Sequence, residues 1–283
     1  MEHRVMLRVG VVLGLVLAGC ASPGTVSLVE VREFADTSAK LGGYAELSRR
    51  YRDTYQRELP YLSPQAERVA RDTDARRQAV FDDFVAIQKT LVLYMQTLGL
   101  LAGDARYDLS GRVDELGHGI GAMTDSGLTQ RHVAAYAGMT RLLTRVITSH
   151  YQNQHVDTMV RDGDADVQAL IEAMIVLTRI YEKANENEQK TVLGSFNAEI
   201  PMANRNADRM LGMLAKVHLQ NKTAEYKLID RRYKLAQQGL TKVALGHQKM
   251  RENMDHLGSA ETRSMLAGYV RDLHLIRNAL SDD

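Results

Sequence analysis

The chain has 283 residues, of which 45% are hydrophobic and 25% charged, with a formal net charge of +1, four prolines, no tryptophan and a single cysteine, Cys20. One cysteine excludes an intrachain disulfide framework and a thiolate metal centre, so the core must rest on apolar packing. Leaving out Arg4, Arg8 and Glu2 of the first 19 residues makes acids and bases balance, so no global attraction to nucleic acid or to an anionic surface is built in.

At the head of the chain, Met1 to Arg8 is short and basic. Val9 to Leu17 is mostly apolar but too short to cross a bilayer, and Ala18-Gly19 precedes Cys20. Leu17-Ala18-Gly19-Cys20 resembles the lipobox of bacterial lipoproteins. The resemblance implies cleavage between Gly19 and Cys20 and a diacylglycerol on the Cys20 sulfur. It also implies acylation of the new amino group. Two or three acyl chains anchor a protein stably where one does not. Ala21 to Thr25 reads as a small, flexible tether. Aspartate after the cysteine would mark the inner membrane in the enterobacterial rule. Ala21 therefore points to the outer membrane, with the protein facing the periplasm or the cell surface. The chain thus divides into a signal peptide (1–19), a lipidated tether (20–25) and a body (26–283).

The body reads as all-α, an elongated bundle of long antiparallel helices with coiled-coil-like segments. No alternating strand pattern of useful length appears, and apolar residues recur at spacings of three and four. A first helix is expected from Val26 to Leu59, kinked at Gly42-Gly43. Ser63-Pro64 is an N-cap and first-turn pair. The following helix carries the clearest stripe, Val80, Phe84, Ile87, Leu91, Tyr94, Leu98 and Leu101. A short helix is expected over Leu109–Met123. The next, Gln130–Met159, has two neighbouring stripes: Tyr136, Met139, Leu143 and Val146, and Val133, Ala137, Thr140 and Ile147.

Asp162-Gly163-Asp164 reads as a turn capped by Asp164, and it is the best place to subdivide the body. Val167, Leu170, Met174, Leu177, Tyr181 and Ala184 define the next helix. A very long helix follows within 202–257. Its stripe of Met210, Leu214, Val217, Asn221, Ala224 and Leu228 gives way to Ile229, Tyr233, Ala236, Leu240, Val243, His247 and Met250. That slip resembles a coiled-coil stutter or a helix changing neighbours. Ser259 caps a last helix through Leu266, Tyr269, Leu273, Ile276 and Leu280.

Few residues point to chemistry. Glu115 and His118 have the Glu-x-x-His spacing of carboxylate-bridged metal bundles, but the second motif and the extra glutamates are missing. They are weak metal candidates beside a glycine-rich turn. Asp162-Gly163-Asp164-Ala165-Asp166 begins like a calcium loop, then puts Val167 where glycine is needed and Ala173 where glutamate is needed. Asn221 and His247 are polar residues on apolar stripes. They read either as contacts to a small apolar or lipidic ligand in a bundle cavity, or as register-fixing core polar groups. The methionines read as core filling, and Tyr44, Tyr51, Tyr55 and Tyr61 as packing at a bundle end. With no nucleophile elbow, zinc helix or phosphate loop, no enzymatic activity and no cofactor are expected. The expected role is a membrane-anchored helical scaffold with a protein partner in the envelope and no nucleic acid. Ligand binding in a cavity is the alternative, and metal-dependent catalysis the remotest reading.

Overall fold

The computed structural model describes residues 28–40, 43–103, 119–121, 127–148, 156–202 and 208–281. The lipobox, the tether and the pair Glu115 and His118 lie outside the described residues. Among those described, the chain is an all-α bundle: α1 (Val29–Ala39), α2 (Gly43–Arg52), α3 (Thr54–Glu58), α4 (Pro64–Leu101), α5 (Gln130–Thr148), α6 (Val156–Glu199), α7 (Arg209–Glu252) and α8 (Ala260–Ser281). One apolar core runs through it, from Val31 and Phe34 of α1 to Leu266 and Leu273 of α8.

The helix α4 begins where its cap chemistry places it. Ser63 Oγ accepts from the Ala66 N–H at 3.3 Å, and Pro64 opens the first turn. Phe84, Ile87, Leu91, Tyr94, Leu98 and Leu101 are all buried. By length and composition α4 is apolar enough to cross a membrane, yet 61% of its apolar window is buried against its own bundle, as in a core helix.

The spine of the molecule is the pair α6 and α7, each of 44 residues and so about 66 Å long at 1.5 Å per residue. Cross-links between them step in opposite directions along the two helices: Glu188 with Tyr226, Asn185 with Asp230, Glu182 with Gln237 and Asp164 with His247. The pair is therefore antiparallel. α8 turns back on α7, α1 packs on α4 and α8, and α5 lies against α6 and α4. Ser259 Oγ accepts from the Thr262 N–H at 3.1 Å and starts α8, as its sequence position predicts.

Several expectations are corrected. The first long helix is three shorter ones: α1 ends at Ala39, α2 runs from Gly43 to Arg52, and α3 starts after Asp53. The helix expected to reach Met159 is described only to Thr148, and Met159 belongs to α6. Asp162-Gly163-Asp164 is no turn: α6 passes through it unbroken. Gly163 serves close packing instead, since a Cβ there would stand 2.8 Å from the Tyr94 ring and 3.0 Å from Leu142.

The slip in the stripe of α7 also has a different meaning. The face turned to the bundle runs without interruption through Gly212, Ala215, Leu219, Lys222, Tyr226, Ile229, Tyr233, Ala236 and Leu240 to His247 and Met250. It is half-buried up to Lys222 and buried at the positions that follow. Met210, Leu214, Val217, Asn221 and Ala224 are exposed. They form a second apolar stripe on the far side of the helix, not the start of the first.

Candidate functional site

Among the described residues, buried polar side chains form two networks along the α6–α7 pair. At the first, His247 lies fully buried on α7. Its Nδ1 stands 2.9 Å from Asp164 Oδ1 and its Nε2 stands 2.7 Å from the Tyr94 hydroxyl, which also lies 3.2 Å from the Met159 carbonyl. Gln168 Nε2 donates to Asp164 Oδ1 at 3.4 Å and to the Ala244 carbonyl at 3.0 Å. The hydrogen bond from His247 holds the Asp164 carboxyl below the usual aspartate range, against the effect of partial burial. Burial, with the Asp164 charge beyond, pushes the Tyr94 phenol well above its ordinary value.

This chain of groups can be satisfied in two ways. If Tyr94 donates to Nε2, the ring is neutral and gives its one proton, on Nδ1, to Asp164. If Tyr94 donates to the Met159 carbonyl, both ring nitrogens carry protons and the cation rests on Asp164. Neither arrangement leaves a buried ring nitrogen unpaired. The order carboxylate, imidazole, hydroxyl is the one used in acyl transfer, but both Tyr94 and His247 are 0% exposed. The bonds join α4, α6 and α7 at one level of the bundle, an arrangement that agrees with the second of the two readings open for His247. Asn221 does not share this place. It is exposed and lies 26 residues away along the same helix, about 39 Å at 1.5 Å per residue. The expectation that it sits on a buried stripe is corrected, because the stripe it belongs to faces out.

The second gathering centres on Glu188 of α6, whose side chain is 1% exposed. Arg57 grips its carboxylate with two bonds, Nε to Oε1 at 2.9 Å and Nη2 to Oε2 at 2.7 Å. Tyr226 donates to Oε1 at 3.0 Å, and Arg50 Nη2 stands 3.4 Å away. Arg50 also donates to Asn185 Oδ1 at 3.2 Å and to Glu225 at 3.0 Å, and Asn185 donates to Asp230 at 2.9 Å. The bidentate geometry is the strong form of this ion pair, and its partners come from α2, α3, α6 and α7. Nearby, burial and then the Glu188 charge push the Glu58 carboxyl up, with Arg77 opposing. Arg77 is itself buried, lies 5.9 Å from the Tyr51 ring centre, and has no hydrogen-bond partner at Nε or Nη2.

The sequence reading missed Glu188, although a signal was present. The spacing of Met174, Leu177 and Tyr181 continues through Asn185 and Glu188 to Val192, and all six are buried. An acid on an apolar stripe needs a cation, and the arginines of α2 and α3 supply it. The tyrosine cluster is packing, as its pattern suggests. Tyr51 stacks on Tyr181 at 4.5 Å between ring centres, Tyr61 meets Phe196 at 5.5 Å, and Tyr44 donates to the Met174 carbonyl at 3.0 Å.

The described residues also line several hollows, of which three bear on function. An enclosed slot beside Ser38, Tyr44, Met95, Leu240 and Val243 has a volume of about 30 Å³. That is room for a water or two rather than a lipid chain. An open groove of about 530 Å³ between α2 and α4 combines Arg49 and Lys89 with Phe81, Val85 and Val92. A third, about 740 Å³, lies between Tyr61, the end of α6 and the start of α7. Beside it stands the largest run of exposed apolar side chains: Met202, Met210, Leu211, Met213, Leu214 and Val217, between 53% and 83% exposed. Methionine as core filling is thus corrected at 202, 210 and 213. Among the described residues, no three of His, Cys, Asp and Glu gather as metal ligands do. Compared with known proteins, the chain matches no family model, no curated protein and no solved structure.

Proposed function

We propose that this chain is a bacterial envelope lipoprotein, held at the outer membrane by acyl chains on Cys20. Its helical bundle acts as a non-enzymatic scaffold that docks another protein. The carrying observation is the run from the basic head through Leu17-Ala18-Gly19-Cys20, with the sole cysteine at the position where such proteins are lipidated. The projecting apolar face at the start of α7 supports the docking half of the reading, because contiguous exposed apolar surface of this kind marks interaction sites.

Growth with radiolabelled palmitate, followed by membrane fractionation, tests the anchor. The wild-type chain is expected to carry label and to sediment with the outer membrane, and Cys20→Ala to lose both. An unlabelled wild-type chain, or a Cys20→Ala variant that stays in the outer membrane, overturns it.

A further inference from the structure

We propose that the far face of α7, from Met210 to Ala224, is a coiled-coil seam that closes on the same face of a second copy of this chain, with the two helices parallel and in register. The proposal names the partner of the docking face described above, and it rests on that reading for orientation and for effective concentration. Copies anchored in one membrane by the same end bring their α7 helices together in the same direction.

The spacing carries the argument. Met210, Leu214, Val217, Asn221, Ala224 and Leu228 follow one another at four, three, four, three and four, the heptad spacing of a two-helix seam. At 100° per residue this stripe is centred about 150° around the helix from the face that packs on α6. Met210 is 76% exposed, Leu214 61% and Val217 53%. A helix that is apolar on two opposite faces expects two neighbours. The bundle supplies one of them.

The polar residue in the seam says what the other is. In heptad terms Leu214, Asn221 and Leu228 occupy a positions, and Met210, Val217 and Ala224 occupy d positions. A single asparagine at an a position meets its own copy across a parallel pair. The two amides then bond to each other, which sets register and oligomeric state. A lipid surface would leave that amide unpaired in the middle of an apolar face. The charges agree. No Asp, Glu, Lys or Arg occupies an a or d position from Met210 to Ala224, and the flanking pairs are Met213 with His218 and Gln220 with Glu225. Beyond Ala224 the stripe turns inward, since Leu228 is half-buried and Arg232 is held by Glu46 of its own chain, and the seam ends there.

The area is near the lower bound for a specific contact. At about 30 Å² per methylene-sized group, the exposed parts of Met210, Met213, Leu214 and Val217 amount to roughly 300 Å² on each copy. Two copies contribute roughly 600 Å², and the exposed Gln220, Asn221 and Ala224 carry the total towards about 1,000 Å². Such a seam closes weakly in dilute solution and far better on a shared surface, where anchoring raises the effective concentration.

Single-cysteine cross-linking of the full chain in envelope membranes tests this. Asn221→Cys and Leu214→Cys, oxidised with copper phenanthroline, are expected to give a band of twice the chain mass. The yield should be roughly tenfold above that of Thr223→Cys, which is exposed but off the seam. The wild-type chain controls for Cys20. Adding Leu214→Asp to Asn221→Cys is expected to abolish the band while helicity by circular dichroism stays unchanged, because Leu214 is exposed in the monomer. Equal yields at 214, 221 and 223, or a cross-link to a chain of different mass, overturns the proposal. If Cys20→Ala stays in the outer membrane while Asn221→Cys still dimerises, the anchor falls and the seam stands. If anchoring holds and no dimer forms, the seam alone falls.

Discussion

Between Tyr226 and Met250 the inward face of α7 lies beneath α1, α6 and α8, whereas from Met210 to Ala224 the opposite face of the same helix stands in solvent. Both stretches repeat apolar residues at four and three, and both place one polar residue on the stripe. His247 finds Tyr94 and Asp164 within its own chain, while Asn221 is left open. Helical spacing therefore announces that a neighbour is expected, but not which molecule supplies it. The polar residue is the better guide, because its partner must match it in hydrogen-bonding chemistry as well as in shape.

The sharpest way to break this comparison is at Glu188, where Tyr226 joins the buried half of α7 to α6. Glu188→Ala removes the anion between Arg57 and Arg50 and leaves their charges without it in a largely buried place. A loss of about 3–5 kcal/mol in unfolding free energy is expected from urea denaturation. Glu188→Gln should recover only a small part, since an amide accepts a hydrogen bond from Arg57 but carries no charge. A glutamine variant as stable as the wild type would show that the cluster is held by shape rather than by charge.

The next test sets the two faces of α7 against each other with the same substitution. Leu240→Ala, at a buried position, is expected to cost about 2–5 kcal/mol, as methyl groups leave a packed core and a cavity remains. Leu214→Ala, at a 61% exposed position, should change the stability of the dilute monomer by less than about 0.5 kcal/mol. Denaturation midpoints of the two variants, measured at the same protein concentration, read the difference directly. Comparable losses would place Leu214 in a core and end the distinction between the faces.

The parts of this fold that were legible in the sequence are those governed by local chemistry. Ser63-Pro64 and Ser259 begin helices because a hydroxyl at that position caps free N–H groups wherever the chain goes. The stripe of α4 reads correctly because α4 is buried along the face its spacing marks. What misled was the same chemistry in a tertiary setting. Asp162-Gly163-Asp164 has turn composition, but the Tyr94 ring needs a residue without a Cβ beneath it, and that need keeps glycine inside α6. Glu188 sits in a charged stretch from Glu182 to Lys190, and the arginines that pair with it lie more than 130 residues away in sequence. Asn221 and His247 looked equivalent because spacing alone does not say which side of a helix is covered.

A further expected effect bears on the polar end of the comparison. Asp164 has its carboxyl pKa lowered in the folded chain, chiefly by the bond from His247. A carboxyl held down on folding contributes stability that is present above its unfolded value, near 3.9, and is lost as pH falls through the lower folded value. Asp164→Asn keeps an oxygen at the same place to accept the Nδ1–H but removes the charge of the acceptor. At neutral pH the variant should therefore be less stable than the wild type by about 1.5–3 kcal/mol, the range for a hydrogen bond to a charged group. Unfolding followed between pH 7 and pH 3 should show the gap closing only at the acid end, as the wild-type carboxyl gains its proton. A gap that stays constant with pH would mean that Asp164 acts on His247 through shape alone, and the carboxylate would lose its part in fixing the register of α6 and α7.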